Sequence, residues 1–480
     1  MSVMLRFRTP PVRTLSFSLL VVLTFPAATF GQNPPPGGRV IGDRTDQSFV
    51  SLKLEPSSEV RPAVSATTTA YADPVQGASS NDLVRRALTA NAELAAVRLD
   101  IERGRARLRQ AGLRPNPTFD FEQTTGGLTG SAGERETIVG FALPLELGGK
   151  RQRRIDVASA ELEAAEAEVA DRERRLVSDV RTAYAEAMAA LRELEITENL
   201  SNVDLQTARV IQVRVREGDS SPLELRLLEV EIDRLKARRA LIEGRLQGAL
   251  LKLKNLAGMG SDEPLRLRED LGSPMLADPS ASMETAIETA LRTRPDLRLA
   301  RLTEELAQAG LRLARAQATP DVTAFSKYTR NRSVFDDTPV GVLTDRDRLL
   351  TFGVSVSLPL FNRNQGAKAD AEIAITQARR RREFVETTVR SDVAGAYARY
   401  QAARAALAIY EQGVLARSLE NIKSIRGAYE VGAFRVTELL VEQRRYIDSQ
   451  RDFIEALAER YRALADLQSA IGLPINPPDK

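Results

Sequence analysis

Cysteine, histidine and tryptophan are absent from the 480 residues, and aromatic side chains of any kind make up only 5%. Without thiols there are no disulfides, cysteine nucleophiles, iron–sulfur clusters or thiolate zinc sites. Without imidazoles the usual general base near neutral pH and the commonest metal ligand are missing. Carboxylates or lysines could still catalyse, but no nucleophile–base pair, phosphate-binding glycine motif or metal cluster occurs. The expectation is therefore of a non-enzyme with no catalytic residue, no metal site and no cofactor. A large globular core draws on bulky rings, and their scarcity argues for something more extended. An excess of one charge is lacking too: 68 basic residues face 65 acidic ones, giving a formal net charge of +3. Phosphate contacts want a concentrated basic face, so nucleic acid is not an expected partner.

Long hydrophobic runs are also missing. The most apolar stretch, Leu15 to Phe25, is too short to span a bilayer, which takes about 20 residues. It follows Arg6, Arg8 and Arg13 and precedes Pro26, Ala27, Ala28 and Gly31, the pattern of a cleaved signal peptide over 1–31. With no cysteine to become a new terminus, the exported chain is not expected to be a lipoprotein. Residues 32–80 carry Pro34-Pro35-Pro36-Gly37-Gly38 and no sustained period, which reads as disorder.

What is present is Ala, Leu, Glu and Arg, the residues of long helices, in a chain that repeats itself. The stretch Arg216-Glu217-Gly218 through Leu223-Glu224-Leu225 returns about 214 positions later as Glu430-Val431-Gly432 through Thr437-Glu438-Leu439. Leu143-Pro144-Leu145 likewise returns as Leu358-Pro359-Leu360. Each copy predicts a helix (81–114 and 283–319), then a hairpin of alternating strands (115–147 and 320–360). A long helical hairpin follows (148–258, turning near 218, and 361–473, turning near 432). A connection over 259–282 and a tail over 474–480 lie outside the repeat. Asn81 or Asp82 is placed to cap the first helix, and Pro115 and Pro117 to stop it. In the first long helix Ile155, Leu162, Val169, Leu176, Ala183 and Ala190 recur every seventh residue, which is coiled-coil spacing.

The strand signals are Thr118 to Gln123, Thr137 to Leu143, Val322 to Thr329 and Leu350 to Leu358; in the last, Leu350, Phe352, Val354, Val356 and Leu358 oppose Thr351, Gly353, Ser355 and Ser357. Between the last two, Asn331 to Arg348 reads as a solvated loop with Asp336, Asp337, Asp345 and Asp347. Alternation over about nine to eleven residues suits transmembrane β-strands. Such strands must close into a barrel. Four cannot close, since the smallest barrels have about eight, so the missing strands must come from other copies. The competing reading is a secreted or periplasmic coiled-coil scaffold or adaptor without a pore, in which the strands are incidental.

With these features in order from Asn81 to Leu473, the chain resembles the TolC-type outer-membrane channels of efflux and secretion systems. The strongest match is YEVGAFRVTELLVEQRR from Tyr429, echoed by VREGDSSPLELRLLEVE from Val215; the corner LPLELGGKR through Arg151 is similar to the branch serving heavy-metal exporters. The resemblance implies a mainly α fold with a small β part: a homotrimer whose twelve-stranded β-barrel in outer-membrane lipid continues as a twelve-helix α-barrel in the periplasm. It implies a periplasmic adaptor (membrane fusion protein) and an inner-membrane pump of the RND, ABC or MFS type as partners. It places Gly218, Leu223, Gly432, Val436 and Leu439 at adaptor-docking tips, and Glu438 in a pore-entrance ring. Tyr429 would contact Glu224 in a closing latch. The family's latch arginine falls on Phe434, with Arg435 beside it, and its second ring acid falls on Val441, so the ring here would be thinner.

Overall fold

The repeated unit is legible in the backbone of the computed structural model, which describes residues 70–128, 133–269, 271, 282–335 and 341–472. These fall within one compact unit, 61–480. The leader over 1–31, Asp336, Asp337 and the 474–480 tail lie outside the described residues, as does most of the 32–80 segment.

The first copy opens with α1 (Ser80–Ala90) and α2 (Ala92–Ala111). One helix over 81–114 was the expectation; Asn91 divides it, leaving the helical conformation and accepting from the Leu94 N–H as a new cap. The start is capped by Ser79, reciprocally with Asp82. In the second copy α5 and α6 are likewise split, here by Pro295: α5 (Met283–Thr293) ends because a residue before proline is disfavoured in the helical region, and α6 (Pro295–Gln317) takes proline at its first position. Disorder up to residue 80 is also corrected. Leu267 donates to the Tyr71 carbonyl and accepts from Asp73, while Ala78 pairs with Arg266 and Arg268, so this backbone finds its partners in the connection between the copies.

The long helices follow: α3 (Lys150–Glu217, 68 residues) with α4 (Pro222–Leu256), and α7 (Gln365–Ile409) and α8 (Leu415–Glu430) with α9 (Val436–Ile471). At 1.5 Å per residue α3 is roughly 100 Å long. A single helix over 365–430 was expected, but a π-turn, Tyr410–Val414, interrupts it at weakly helix-forming Gly413. The heptad series is buried from Val169 through Leu176, Ala183 and Ala190. Both long helices start after a residue in the left-handed conformation, Gly149 and Asn364.

The strands β1 (Thr118–Thr125), β2 (Arg135–Leu145), β3 (Val322–Phe335) and β4 (Leu343–Val356) form one antiparallel sheet in chain order, so β2 and β3 join the two copies. Residues opposite each other share a face. One face carries the rows Phe119, Phe141, Ser326, Phe352 and Phe121, Val139, Tyr328, Leu350. The other carries Asp120, Gly140, Lys327, Thr351 and Ala142, Phe325, Gly353. The apolar face is bare: Phe121 is 63% and Phe352 73% exposed. Gly353 is fixed by sterics, because a Cβ there would sit 2.4 Å from the Phe325 ring.

The loop expected from Asn331 to Arg348 is largely strand. Asp345 and Asp347 lie on β4, opposite Ser333 and Asn331. The run Asp345-Arg346-Asp347-Arg348 alternates in charge, and a charge alternation has the same period of two as a hydrophobic one.

Candidate functional site at the helical turns

The two turns have the same hydrogen bonds. Gly218 N–H reaches the Val215 carbonyl and Asp219 N–H that of Arg214 at 2.8 Å; Gly432 N–H reaches Tyr429 and Ala433 N–H reaches Ala428 at 2.8 Å. This is a Schellman-type end. It needs φ of +85° at Gly218 and +77° at Gly432, while the space around both is open, so conformation demands the glycines. The return helix is capped by Ser221 in the first copy. In the second copy Glu438 does the equivalent work, its carboxylate accepting from the Arg435 N–H at 2.5 Å.

The turns share one small core. Ile211, Leu228 and Ile232 of the first copy bury against Val436 of the second, with Leu225, Tyr429 and Leu440 packed around them. Tyr429 and Glu224 are thereby brought together: burial, then the charge of Glu224, pushes the phenol above its ordinary range. The Tyr429 hydroxyl is buried without a hydrogen bond, so the two are neighbours and not a bonded pair.

The remaining expected residues divide. Glu438 and Arg435 are exposed, as are Gly218, Gly432 and Leu223, the last at 62%. Val436 and Leu439 are 1% and 2% exposed, so their side chains hold the turn together and are not offered to a docking partner. Two other apolar side chains at the second turn are exposed instead: Val431 at 81%, and Phe434, the position matched to the family's latch arginine, at 45%.

Above the turns lies a polar layer that sequence reasoning also missed. Gln443 Nε2 donates to Asp204 Oδ1 at 3.1 Å, and Arg444 reaches Glu231 at 3.0 Å. Asp204 is fully buried, and burial pushes its carboxyl up to about 6. The signal was available: continued past Ala190, the heptad meets Thr197, Asp204 and Ile211, all buried, and ends on Gly218. A carboxylate on the core phase marks a polar contact between helices.

The profile of the family described as outer membrane efflux protein matches residues 83–259 and 286–473. The cobalt-zinc-cadmium resistance protein CzcC of Cupriavidus metallidurans is 22% identical over 388 residues, 80% of this chain and 87% of that protein. Outer membrane protein TolC of Vibrio cholerae is 22% identical over 321 residues, 66% of this chain and 72% of that one. The solved structure of CusC, which forms a transmembrane channel on folding, superposes with a TM-score of 0.69 at 22% identity, covering 82% of this chain and 92% of its own.

Proposed function

Because this chain belongs to the outer membrane efflux protein family, whose profile spans both copies of its repeat, we propose that it is the outer-membrane exit duct of a tripartite efflux pump. It conducts substrates passively from an inner-membrane pump and its periplasmic adaptor to the outside. The observation that carries this reading is the sheet: four strands with a bare apolar face and two unpaired edges, β1 and β4. Lipid on the apolar face and neighbouring copies on the edges satisfy both demands at once, and three copies supply twelve strands. The opposite face, which carries Asp120, Gly140, Lys327, Thr351 and Gly353, is then the lumen. No helix among the described residues is long and apolar enough to cross a membrane, which leaves the sheet as the spanning element.

The turns are the periplasmic tips. Leu223, Val431 and Phe434, exposed beside the two turn glycines, are the apolar contacts an adaptor would cover. Three copies of the exposed Glu438 form a ring of like charge, which attracts cations and concentrates them at the entrance. Tyr429 against Glu224 links the turns of the two copies, so separating them opens the shared core. The similarity to CzcC, named for cobalt-zinc-cadmium resistance, aligns the chain with the heavy-metal-exporter branch. That similarity bears on which pump it serves, of the RND, ABC or MFS type.

Planar-bilayer conductance tests the entrance. The wild type should favour cations and be blocked by divalent or trivalent ions, and Glu438→Gln should weaken that block. Unchanged block in the variant would remove Glu438 from the entrance.

A further inference from the structure

The bare face of the sheet changes character toward the end far from the helices. Above the row Phe121, Val139, Tyr328, Leu350 stands Gln123, Thr137, Arg330, Arg348, and above that Thr125, Arg135, Arg332, Arg346. Five arginines therefore occupy two successive rows of one face, all exposed. Among the described residues none of the five has an ion-pair partner. The acids of the same stretch, Glu136, Asp345 and Asp347, fall on the opposite face because they alternate with the arginines along the strands. Like charges directly opposite in neighbouring strands destabilise a sheet. Arg135, Arg332 and Arg346 stand opposite one another across three strands. A stretch whose acids are the arginines' immediate neighbours in the chain has thus collected its cations on one side.

Arg135, Arg330, Arg332 and Arg346 also line a surface pocket of about 540 Å3, together with Gln123 and Thr137. Thr137 donates its hydroxyl to Gln123 Oε1 at 2.7 Å, and Gln123 in turn donates to the Glu136 carbonyl, so the neutral wall of the pocket is fixed by its own hydrogen bonds. Guanidinium groups offer parallel N–H pairs that fit the oxygens of a phosphate. Each row lies about 7 Å from the next along the strand, which puts the first arginine row directly above the aromatic and aliphatic rows.

We propose that this outward pocket seats the phosphomonoester headgroup of an anionic lipid in the leaflet farther from the helices, with its acyl chains lying on the apolar rows below. The proposal rests on the barrel reading, which makes this the lipid-facing side. The occupant is a lipid and not free phosphate because cation rows and apolar rows are continuous on one face, matching a charged head joined to hydrocarbon. The anion neutralises the row of opposed arginines, so the bound lipid holds β2, β3 and β4 together at the rim.

Native mass spectrometry of the full-length protein in detergent tests this, with dioleoyl phosphatidic acid as the phosphomonoester probe and dioleoyl phosphatidylcholine at equal concentration. The wild type should retain the phosphomonoester lipid with about tenfold preference. The double variant Arg332→Gln, Arg346→Gln should lose the preference, and Lys327→Gln, on the opposite face, should keep it. Equal retention of both lipids by the wild type, or an undiminished preference in the double variant, overturns the proposal. Inorganic phosphate separates the two sources: lipid retained against millimolar phosphate supports the lipid seat, and complete displacement overturns it. An oligomer that enters bilayers yet does not discriminate between the lipids overturns the seat alone, whereas a chain that stays monomeric and does not enter bilayers overturns the barrel reading and the seat with it.

Discussion

Asp204 is where a single side chain works against the fold. Its Oδ2 and the Oε1 of Gln443 are both buried without a hydrogen-bond partner. Its carboxyl is raised from 3.8 to about 6, so between those values the folded chain binds the proton more than the unfolded chain does. Stability therefore falls as pH rises through that window and stays reduced above it. Asp204→Asn removes the charge and gives Gln443 Oε1 a donor. The substitution should raise stability by about 2 kcal/mol at neutral pH and flatten the fall between pH 4 and 6, measured by urea unfolding across pH. Glu438 is the opposite case, a charge in a place that suits it. Glutamine serves at the same capping position, so Glu438→Gln should leave the melting temperature within about 2 °C of wild type. A change in cation block would then report on the pore and not on misfolding.

Elements in the two copies are tied by the same device with different residues. The amide of Asn91 donates to the Leu256 carbonyl, and the guanidinium of Arg294 points to the Ala470 carbonyl. Each thereby joins the break between short helices to the end of a return helix. Arg294 is 5% exposed and also pairs with Asp296 and Asp392. Its loss takes from the largely buried Asp296 the one cation it is hydrogen-bonded to, leaving only the more distant charge of Arg174. Arg294→Ala should cost about 3 kcal/mol, read by thermal or urea unfolding, and the second copy should loosen before the first by hydrogen exchange. The return helices end on Gly258 and Gly472, both left-handed. Gly258 also has no room, since a Cβ would lie 2.3 Å from the Ala90 carbonyl oxygen. Gly258→Ala should therefore destabilise by several times the roughly 1 kcal/mol expected at Gly432, where the surroundings are open. Comparing the two unfolding curves separates strain in the backbone from lack of space.

At the scale of the whole molecule, the sheet is incomplete in one chain. Its two edges and its apolar face stay unsatisfied until copies and lipid supply the rest. A cation in the middle of the lipid-facing band costs about 2–4 kcal/mol per chain. Phe352→Arg should thus deplete the protein from the outer-membrane fraction and yield an oligomer that dissociates in detergent. A sheet that stays in water would tolerate the change at this exposed position, so undiminished recovery in the membrane fraction would count against the barrel.

The order of elements and the duplication lie in the sequence by itself, because periodicity and turn chemistry are local. Heptads need only α-helical spacing, the turn glycines only a positive φ, and the strand between Leu350 and Val356 only a period of two. Tertiary structure alone decided what depends on residues distant in the chain. It paired β2 with β3 and drew residues 71–78 onto the connection near Leu267. It also turned Val436 and Leu439 inward while leaving Val431 and Phe434 outside. Both pairs are apolar residues in one turn, and their spacing does not separate them; for Val436 the difference is made by Ile211, Leu228 and Ile232 of the other copy, which close over it.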